Sequence, residues 1–202
     1  MANHLFRVFL LFLLIGASHT LAFQVQIVDQ KGNGVANAVV SIASGSISEV
    51  SSEPAIMDQV GKQFLPTLLV VEEGRQVLFP NSDNIRHHVY PFSKAKPFEI
   101  KLYKGVPKAP ITFDRAGVAV LGCNIHDTMI GYIYVSKWPQ FSLSDGRGYV
   151  EFDQAKPDKL EVWHAWQEAL DEPMLIEVPA NSSSPFVVAL DLTPPRPVTR
   201  RK

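Results

Sequence analysis

The most informative part of this chain is the stretch Gly117-Val-Ala-Val-Leu-Gly-Cys-Asn-Ile-His-Asp-Thr-Met-Ile-Gly-Tyr-Ile-Tyr-Val135. Two runs rich in β-branched and aromatic residues flank a short polar segment, a pattern typical of two strands joined by a loop. The loop carries Cys123, His126 and Met129 at the spacing Cys-x2-His-x2-Met. Thiolate, imidazole and thioether groups are ligands that soft metal ions prefer. The stretch therefore predicts a metal-binding loop between two strands.

A second imidazole is available upstream of this loop. His87 lies 36 residues before Cys123 (123 − 87) and follows the apolar run Gln76-Val-Leu-Phe79. Two His, one Cys and one weakly bound Met describe a blue-copper electron-transfer site. Zinc could also use one Cys and two His, but the thioether favours copper. We therefore predict a copper site at His87, Cys123, His126 and Met129.

The bulk composition is globular and gives no reason to expect a nucleic-acid partner. Of the 202 residues, 46% are hydrophobic and 19% are charged, and the formal net charge is −1. Long stretches of helical periodicity are scarce, whereas 15 Pro and 12 Gly punctuate short apolar runs. This pattern predicts an all-β fold.

Residues 1–22 read as a signal peptide. Arg7 precedes the apolar run from Val8 to Ile15, which is too short to span a bilayer, and a plausible cleavage site follows Ala22. An uncleaved membrane anchor is the alternative, and both readings predict export, most simply to the periplasm. Cys123 is the only cysteine. An unpaired thiol in an oxidising compartment is a liability unless it is buried or metal-bound.

Residues 55–136 resemble cupredoxins, above all the amicyanin and plastocyanin group, and the short Cys-to-Met loop looks like that of amicyanin. The whole chain resembles exported proteins described as methylamine-utilisation or plastocyanin-like. The resemblance implies a Greek-key β-sandwich that holds one type 1 copper ion through His87, Cys123, His126 and Met129. Three motifs carry it: Phe64-x-Pro with Val70 to Gly74, Asn81-x-Asp-x3-His87-x-Val89, and Cys123-x2-His126-x2-Met129-x-Gly131.

One residue departs from the family pattern. Cupredoxins often have Asn directly after the first ligand His, where it links the two ligand loops, and this chain has His88. Whether His88 replaces His87 as a ligand or supports it is open at this point. Asn81, Asp83 and Asn124 are candidates for holding the ligand imidazoles. Ordinary turn capping is the alternative for Asn81 and Asp83.

The segments on either side of the cupredoxin-like part are less specific. Residues 25–42 and 144–163 resemble the small transthyretin-like sandwich found beside carboxypeptidases, with the cupredoxin part inserted between its strands. Extra strands packed on the cupredoxin part are the alternative, and residues 164–170 fit either a loop or one or two helical turns. The predicted organisation is a signal peptide (1–22), an N-terminal β-hairpin and linker (23–47), a cupredoxin domain (48–137), a C-terminal β extension (138–193) and a disordered basic tail (194–202).

The predicted function is one-electron transfer between redox partners, without enzymatic activity of its own. A partner such as cytochrome c or a dehydrogenase would dock near His126, on an apolar patch of Ile125, Met129 and Ile130 with Pro91 and Phe92 nearby. Copper storage or delivery is the alternative, since it would use similar soft ligands. Hydrolysis by a Cys-His pair needs a free thiolate and a third group that orients the His, and Cys123 closely followed by His126 and Met129 on a strand-to-strand loop is a poor match to it.

Overall fold

The computed structural model describes residues 22–92 and 97–194, which form β-strands joined by turns and loops. The expected all-β architecture is confirmed, and no helix in these two ranges has the length and apolar character needed to span a bilayer. Nearly all of the predicted signal peptide and of the predicted basic tail, residues 1–21 and 195–202, lies outside the described residues. The strands are β1 (Phe23–Asp29), β2 (Val39–Ile42), β3 (Ala55–Ile56), β4 (Asp58–Val60), β5 (Gln63–Leu65), β6 (Leu68–Glu72), β7 (Arg75–Leu78), β8 (His87–Pro91), β9 (Ile100–Tyr103), β10 (Ile111–Phe113), β11 (Gly117–Gly122), β12 (Ile130–Ser136), β13 (Phe141–Leu143), β14 (Tyr149–Phe152), β15 (Lys159–Trp163), β16 (Met174–Glu177) and β17 (Phe186–Leu190).

The strands build two sandwiches. The central sandwich combines a five-stranded sheet, in the order β6-β12-β11-β8-β9, with a three-stranded sheet, β10-β7-β3. The flanking sandwich combines the sheets β14-β1-β17 and β13-β2-β15-β16. Strands β4 and β5 form a separate pair. The flanking sandwich is thus built from strands that precede the central sandwich in the sequence and from strands that follow it.

Each sandwich has its own apolar core. Alternate residues of β1 and β14 pack against β2, β15 and β17 in the flanking core. The central core includes Phe64, Phe79 and Phe113, and it reaches Cys123 and Met129 at one end. Since a strand points successive side chains to opposite faces, the residues between these core positions lie on the opposite face of each sheet.

The two sandwiches share an apolar interface. Val39 and Trp163 of the flanking sandwich pack with Val118 and Tyr134 of the five-stranded sheet. The Tyr134 hydroxyl donates a 2.7 Å hydrogen bond to the buried Glu161 carboxylate. Burial and the Glu161 charge together raise the pKa of Tyr134, so the hydroxyl keeps its proton and donates.

The hairpin predicted within the N-terminal segment 23–47 is wrong in its pairing. β1 lies between β14 and β17, whereas β2 lies in the other sheet, between β13 and β15. All four residues of β2 are buried, because one of its faces covers the flanking core and the other covers the five-stranded sheet. A strand that is apolar on both faces needs a layer packed on each of them, which an isolated two-stranded hairpin does not provide.

The segment around His87 also differs from its prediction. From the sequence, residues 80–90 read as a loop, because Asn, Asp and Ser are frequent there. In the structure, His87 to Tyr90 form most of β8 and pair with β9 and β11. Because polar residues precede this strand, no clear strand pattern is visible in the sequence around its buried apolar residue, Val89. Residues 164–170, predicted as either a loop or one or two helical turns, form a loop of turns and bends without a helix.

Candidate metal centre

The Cys-x2-His-x2-Met loop is held by the two strands that it connects. β11 and β12 pair in antiparallel register, and their last pair is Gly122 with Ile130. Between them, the backbone N–H of His126 donates to the carbonyl of Cys123 (3.3 Å), and the N–H of Met129 donates to the carbonyl of His126 (2.9 Å). Two successive turns therefore fix the loop at the end of a rigid sheet.

Strand pairing brings the upstream histidine to the same place. β8 is the neighbour of β11 in the sheet, and Tyr90 pairs with Gly122. The Cys123 Sγ atom consequently lies 3.7 Å from Nδ1 of His87 and 3.9 Å from Nδ1 of His126. One ligand atom from each of the three residues lies within 4.8 Å of the other two.

These distances suit one shared metal ion. Protein metal–nitrogen and metal–sulfur bonds of about 2.0–2.1 Å and 2.3 Å, at angles of about 109–120°, separate N and S by roughly 3.5–3.8 Å. The observed separations lie close to this range. Two imidazoles and one thiol are also the equatorial donor set that copper takes in blue-copper sites. The residues present therefore fit a copper ion.

Burial and neighbouring charges keep the His126 imidazole ready to bind a metal. His87 and Cys123 are buried, whereas one edge of His126 reaches the surface. Desolvation, then the neighbouring His87 and Lys62, lowers the pKa of His126, although Asp83 opposes the shift. A lowered pKa favours the neutral ring, which is the form that binds a metal.

Asp83 holds the far side of His87. Its carboxylate lies 2.7 Å from Nε2 of His87 and accepts backbone hydrogen bonds from Gly61 (2.7 Å) and Lys62 (2.9 Å). Desolvation alone would raise the pKa of Asp83, but the hydrogen bonds from Lys62, His87 and Gly61 together lower it. A carboxylate on Nε2 leaves Nδ1 free to face Cys123, so Asp83 belongs to the outer shell of the site.

We expect Asp83→Asn to weaken metal binding by about 10- to 100-fold, because outer partners of this kind orient the ligand imidazole. Competition titration with a copper chelator measures the change. Asp127→Asn is the matched control, since Asp127 is an exposed carboxylate inside the ligand loop. If both variants weakened metal binding equally, the loss of affinity would come from the lost negative charge and not from the contact between Asp83 and His87.

The Asp83 carboxylate also makes the stability of the metal-free protein depend on pH. Because the pKa of Asp83 is lower in the folded protein, its ionised form stabilises the fold above the unfolded pKa. That contribution disappears as the pH falls through the lowered pKa. Acid unfolding of the metal-free protein should therefore begin at higher pH in Asp83→Asn than in the parent.

His88 links the two ligand segments rather than taking the place of His87. Its Nδ1 accepts a 2.6 Å hydrogen bond from the side-chain amide of Asn124, the residue after Cys123. Its Nε2 lies 2.9 Å from Glu99, in a contact without hydrogen-bond alignment. The bridge that the family makes with Asn is thus made here by a His-Asn pair, and His87 is the imidazole that faces Cys123.

The remaining predicted residues fall into different roles. The Asn81 side chain donates to the carbonyls of Ile85 (3.0 Å) and Tyr103 (2.8 Å), so it caps the turn before β8. Met129 is 1% exposed and packs in the same core cluster as Cys123. Its role as the weak ligand stays a prediction. His164 is buried in the flanking sandwich, where it bonds to backbone groups.

Sequence reasoning missed Tyr103, which lies opposite His87 in the β8–β9 pairing. The Tyr103 hydroxyl donates to the carbonyl of Phe79 (2.5 Å) and accepts a hydrogen bond from the buried Gln59 amide. Burial raises its pKa to about 12. Tyr103 therefore ties β9, the strand paired with that of His87, to Phe79 and Gln59, and only the tertiary contacts could have revealed this role.

No protein-family model matches the chain, and no curated protein matches it. The chain is similar to solved structures, among them the following three. A Cu-containing nitrite reductase from Thermus scotoductus SA-01 is 27% identical over 48% of this chain, with a TM-score of 0.40. The reduced Cu(I) form of an amicyanin variant is 21% identical over 48% of this chain and 98% of its own, with a TM-score of 0.39. A purple cupredoxin from Nitrosopumilus maritimus is 20% identical over 41% of this chain and 99% of its own, with a TM-score of 0.36.

The chain spans only 25% of the length of the nitrite reductase that it matches. The geometry of this chain is more informative about its fold than these similarities are. Residues 55–136 combine a two-sheet sandwich with a cluster of two imidazoles and one thiol at the sandwich end. This part of the chain is cupredoxin-like in fold, as the motifs around His87 and Cys123 predicted.

Proposed function

We propose that this protein is an exported one-electron carrier that holds one type 1 copper ion through His87, Cys123, His126 and Met129. The observation that supports the proposal most is the convergence of a buried thiol and two Nδ1 atoms within 4.8 Å. Copper, when bound, supplies a reversible one-electron couple. The chain supplies the ligands, their orientation and a site largely shielded from water.

Rigid placement of the ligands suits electron transfer. His87 lies on a strand, Cys123 directly follows one, and His126 lies in a loop fixed by two backbone hydrogen bonds. Asp83 and the His88–Asn124 pair restrain the ligand segments further. Ligands that move little when the oxidation state of the site changes keep the reorganisation energy of electron transfer low.

The exposed edge of His126 gives electrons a way out of the site. Ile125, beside it, is 48% exposed. Met129, predicted within the same apolar patch, is buried and does not contribute to this surface. We propose that a redox partner docks at this loop end and that the protein catalyses no reaction of its own. Export to the periplasm is part of the proposal, supported by the sequence of residues 1–22.

Reconstitution of the purified mature protein with cupric salt tests the proposal. We expect an intense visible absorption band, a type 1 electron paramagnetic resonance spectrum and a reversible one-electron couple. A colourless protein would contradict the proposal. Fast loss of copper to a mild chelator, without a reversible couple, would instead show storage or delivery.

Thiol alkylation of the copper-loaded protein separates the carrier from a Cys-His hydrolase. A metal-bound, buried Cys123 should resist alkylation that the denatured protein undergoes readily. Rapid alkylation of the loaded protein would show a free nucleophile.

A further inference from the structure

The turn between β4 and β5 has a left-handed backbone at two successive residues. Gly61 has a φ of 61°, and Lys62 also has a φ of 61°. Glycine adopts this region readily, whereas a residue with a side chain does so at a cost in energy. Among the described residues, Asn37 in the flanking sandwich is the other non-glycine residue with a positive φ (60°). A strained backbone persists where its surroundings fix it, and such positions often serve a function.

The left-handed turn directs two N–H groups at one carboxylate. The N–H of Gly61 donates to Oδ1 of Asp83 (2.7 Å), and the N–H of Lys62 donates to Oδ2 (2.9 Å). The same Oδ2 atom lies 2.7 Å from Nε2 of His87. Successive backbone N–H groups that converge in this way form a concavity that binds an anion. The turn therefore fixes the orientation of the carboxylate that holds a metal-binding imidazole.

The first strand of the hairpin is held against the segment that precedes β8. The backbone N–H of Gln59 donates to the carbonyl of Pro80 (3.1 Å), and the side-chain amide of Gln59 donates to the same carbonyl (2.9 Å). The Ser82 hydroxyl donates to the Asp58 carboxylate (2.7 Å). With the bonds from the turn to Asp83, these contacts join β4 and its turn to that segment at three points. The position of the turn is therefore tied to that of Asp83.

The second strand of the hairpin is held beside the ligand loop. Phe64 of β5 is buried in the central core. Its side chain covers Gly131, where a Cβ atom would lie 2.9 Å from Cβ, Cγ and Cδ2 of Phe64. Gly131 follows Met129 by two residues. Both strands of the hairpin thus pack against segments that carry predicted ligands, so the turn between them has a fixed place at the metal centre.

We propose that the Gly61–Lys62 turn is a positioning element of the metal centre, which holds Asp83 against His87 and thereby sets the relative affinity of the site for cupric and cuprous copper. The inference rests on the proposed function. A carboxylate on the far nitrogen of a ligand imidazole makes that imidazole a better donor. The more highly charged cupric ion gains more from this donor, and from the nearby negative charge, than the cuprous ion does. The turn therefore lowers the reduction potential of the bound copper.

Two uncharged substitutions at position 62 separate the effect of the backbone from that of the charge. Lys62→Ile and Lys62→Asn both remove the ammonium group, but a β-branched side chain disfavours the left-handed region that Asn tolerates. We expect the cupric affinity of Lys62→Ile to be about tenfold lower than that of Lys62→Asn, with little difference in cuprous affinity. A tenfold difference of this kind corresponds to a potential about 59 mV higher in Lys62→Ile. Chelator competition with each ion and voltammetry measure the two effects.

Asn37→Ile is the matched control, because it places the same side chain at the left-handed position of the flanking sandwich. It should leave both copper affinities and the potential unchanged. Gly61→Ala is a milder change within the turn, which keeps the Lys62 charge and strains the backbone less than a β-branched residue does. We expect it to lower the cupric affinity about threefold relative to the parent, and it tests the proposal if Lys62→Ile does not fold.

The tautomer of His87 gives a readout without copper. NMR of the ring nitrogens in the isotope-labelled, metal-free protein, with the rings neutral, distinguishes the two tautomers. In the parent and in Lys62→Asn we expect the proton on Nε2, which faces Asp83, and an unprotonated Nδ1 on the side of Cys123. In Lys62→Ile we expect a mixture of both tautomers, because the carboxylate is no longer held in place.

The outcomes separate this inference from the function on which it rests. Potentials, cupric affinities within twofold of each other and His87 tautomers that do not differ between Lys62→Ile and Lys62→Asn would overturn the positioning role and leave the carrier function intact. A parent protein that does not take up copper as a coloured site would instead overturn the proposed function, and the effect on the potential with it.

Discussion

Replacing Cys123 with alanine is expected to abolish the intense visible absorption of the copper-loaded protein and to lower its copper affinity by more than about 100-fold. Removal of an outer partner alone costs 10- to 100-fold in affinity, and the thiolate is a direct ligand. Cys123 is the only cysteine, so no other thiol can take its place. Absorption spectroscopy and chelator competition measure the two effects.

The control for this variant must also remove a sulfur atom. Met174→Ala serves, because Met174 is a partly exposed thioether on β16 of the flanking sandwich. It should leave the spectrum and the affinity unchanged. If Cys123→Ala kept the absorption band, the thiol would not be a ligand and the carrier proposal would fail.

Replacing Trp163 with alanine is expected to cost about 3–5 kcal/mol of unfolding free energy, as is typical of large aromatic side chains removed from a core. Trp163 is 0% exposed between the two sandwiches. Its ring packs against Tyr134 at 5.5 Å and Tyr132 at 6.0 Å. Its indole N–H donates to the carbonyl of Leu170 at 2.7 Å. The variant would leave a cavity and an unpaired carbonyl.

Urea unfolding, followed by fluorescence and by the visible band of the loaded protein, measures this loss. Trp166→Ala is the matched control, because Trp166 lies nearby but is 43% exposed, and it should cost about 1 kcal/mol. Coincident transitions by the two probes would show that both sandwiches unfold together. A loss below 1 kcal/mol for Trp163→Ala would mean that the interface contributes little to stability.

Several features of the site could be predicted from local sequence. Cys123, His126 and Met129 share one loop, and their chemical types already select a soft metal. His87 was harder to predict, since 36 residues separate it from Cys123 (123 − 87) and the adjacent His88 offered the same imidazole. The His88–Asn124 bridge and the support from Tyr103 could not be predicted, because each depends on which strands lie side by side.

In the flanking strands too, the strand pattern could be predicted from the sequence but the strand pairing could not. The alternation in β1 is visible in the sequence, but its partners β14 and β17 lie more than 100 residues away along the chain. β2 was predicted to return beside β1, and instead it lies in the opposite sheet, buried on both faces. A residue pattern records which face is apolar, but it does not record which surface will cover that face.

The strand-rich architecture and the donor types that favour a soft metal could be read from the amino-acid sequence, because they follow from side-chain chemistry and from the two-residue period of a strand. That His87 rather than His88 faces Cys123, and that Trp163 joins two sandwiches, could be read only from the three-dimensional structure. These outcomes depend on contacts between residues distant in the chain, and only the folded packing selects them.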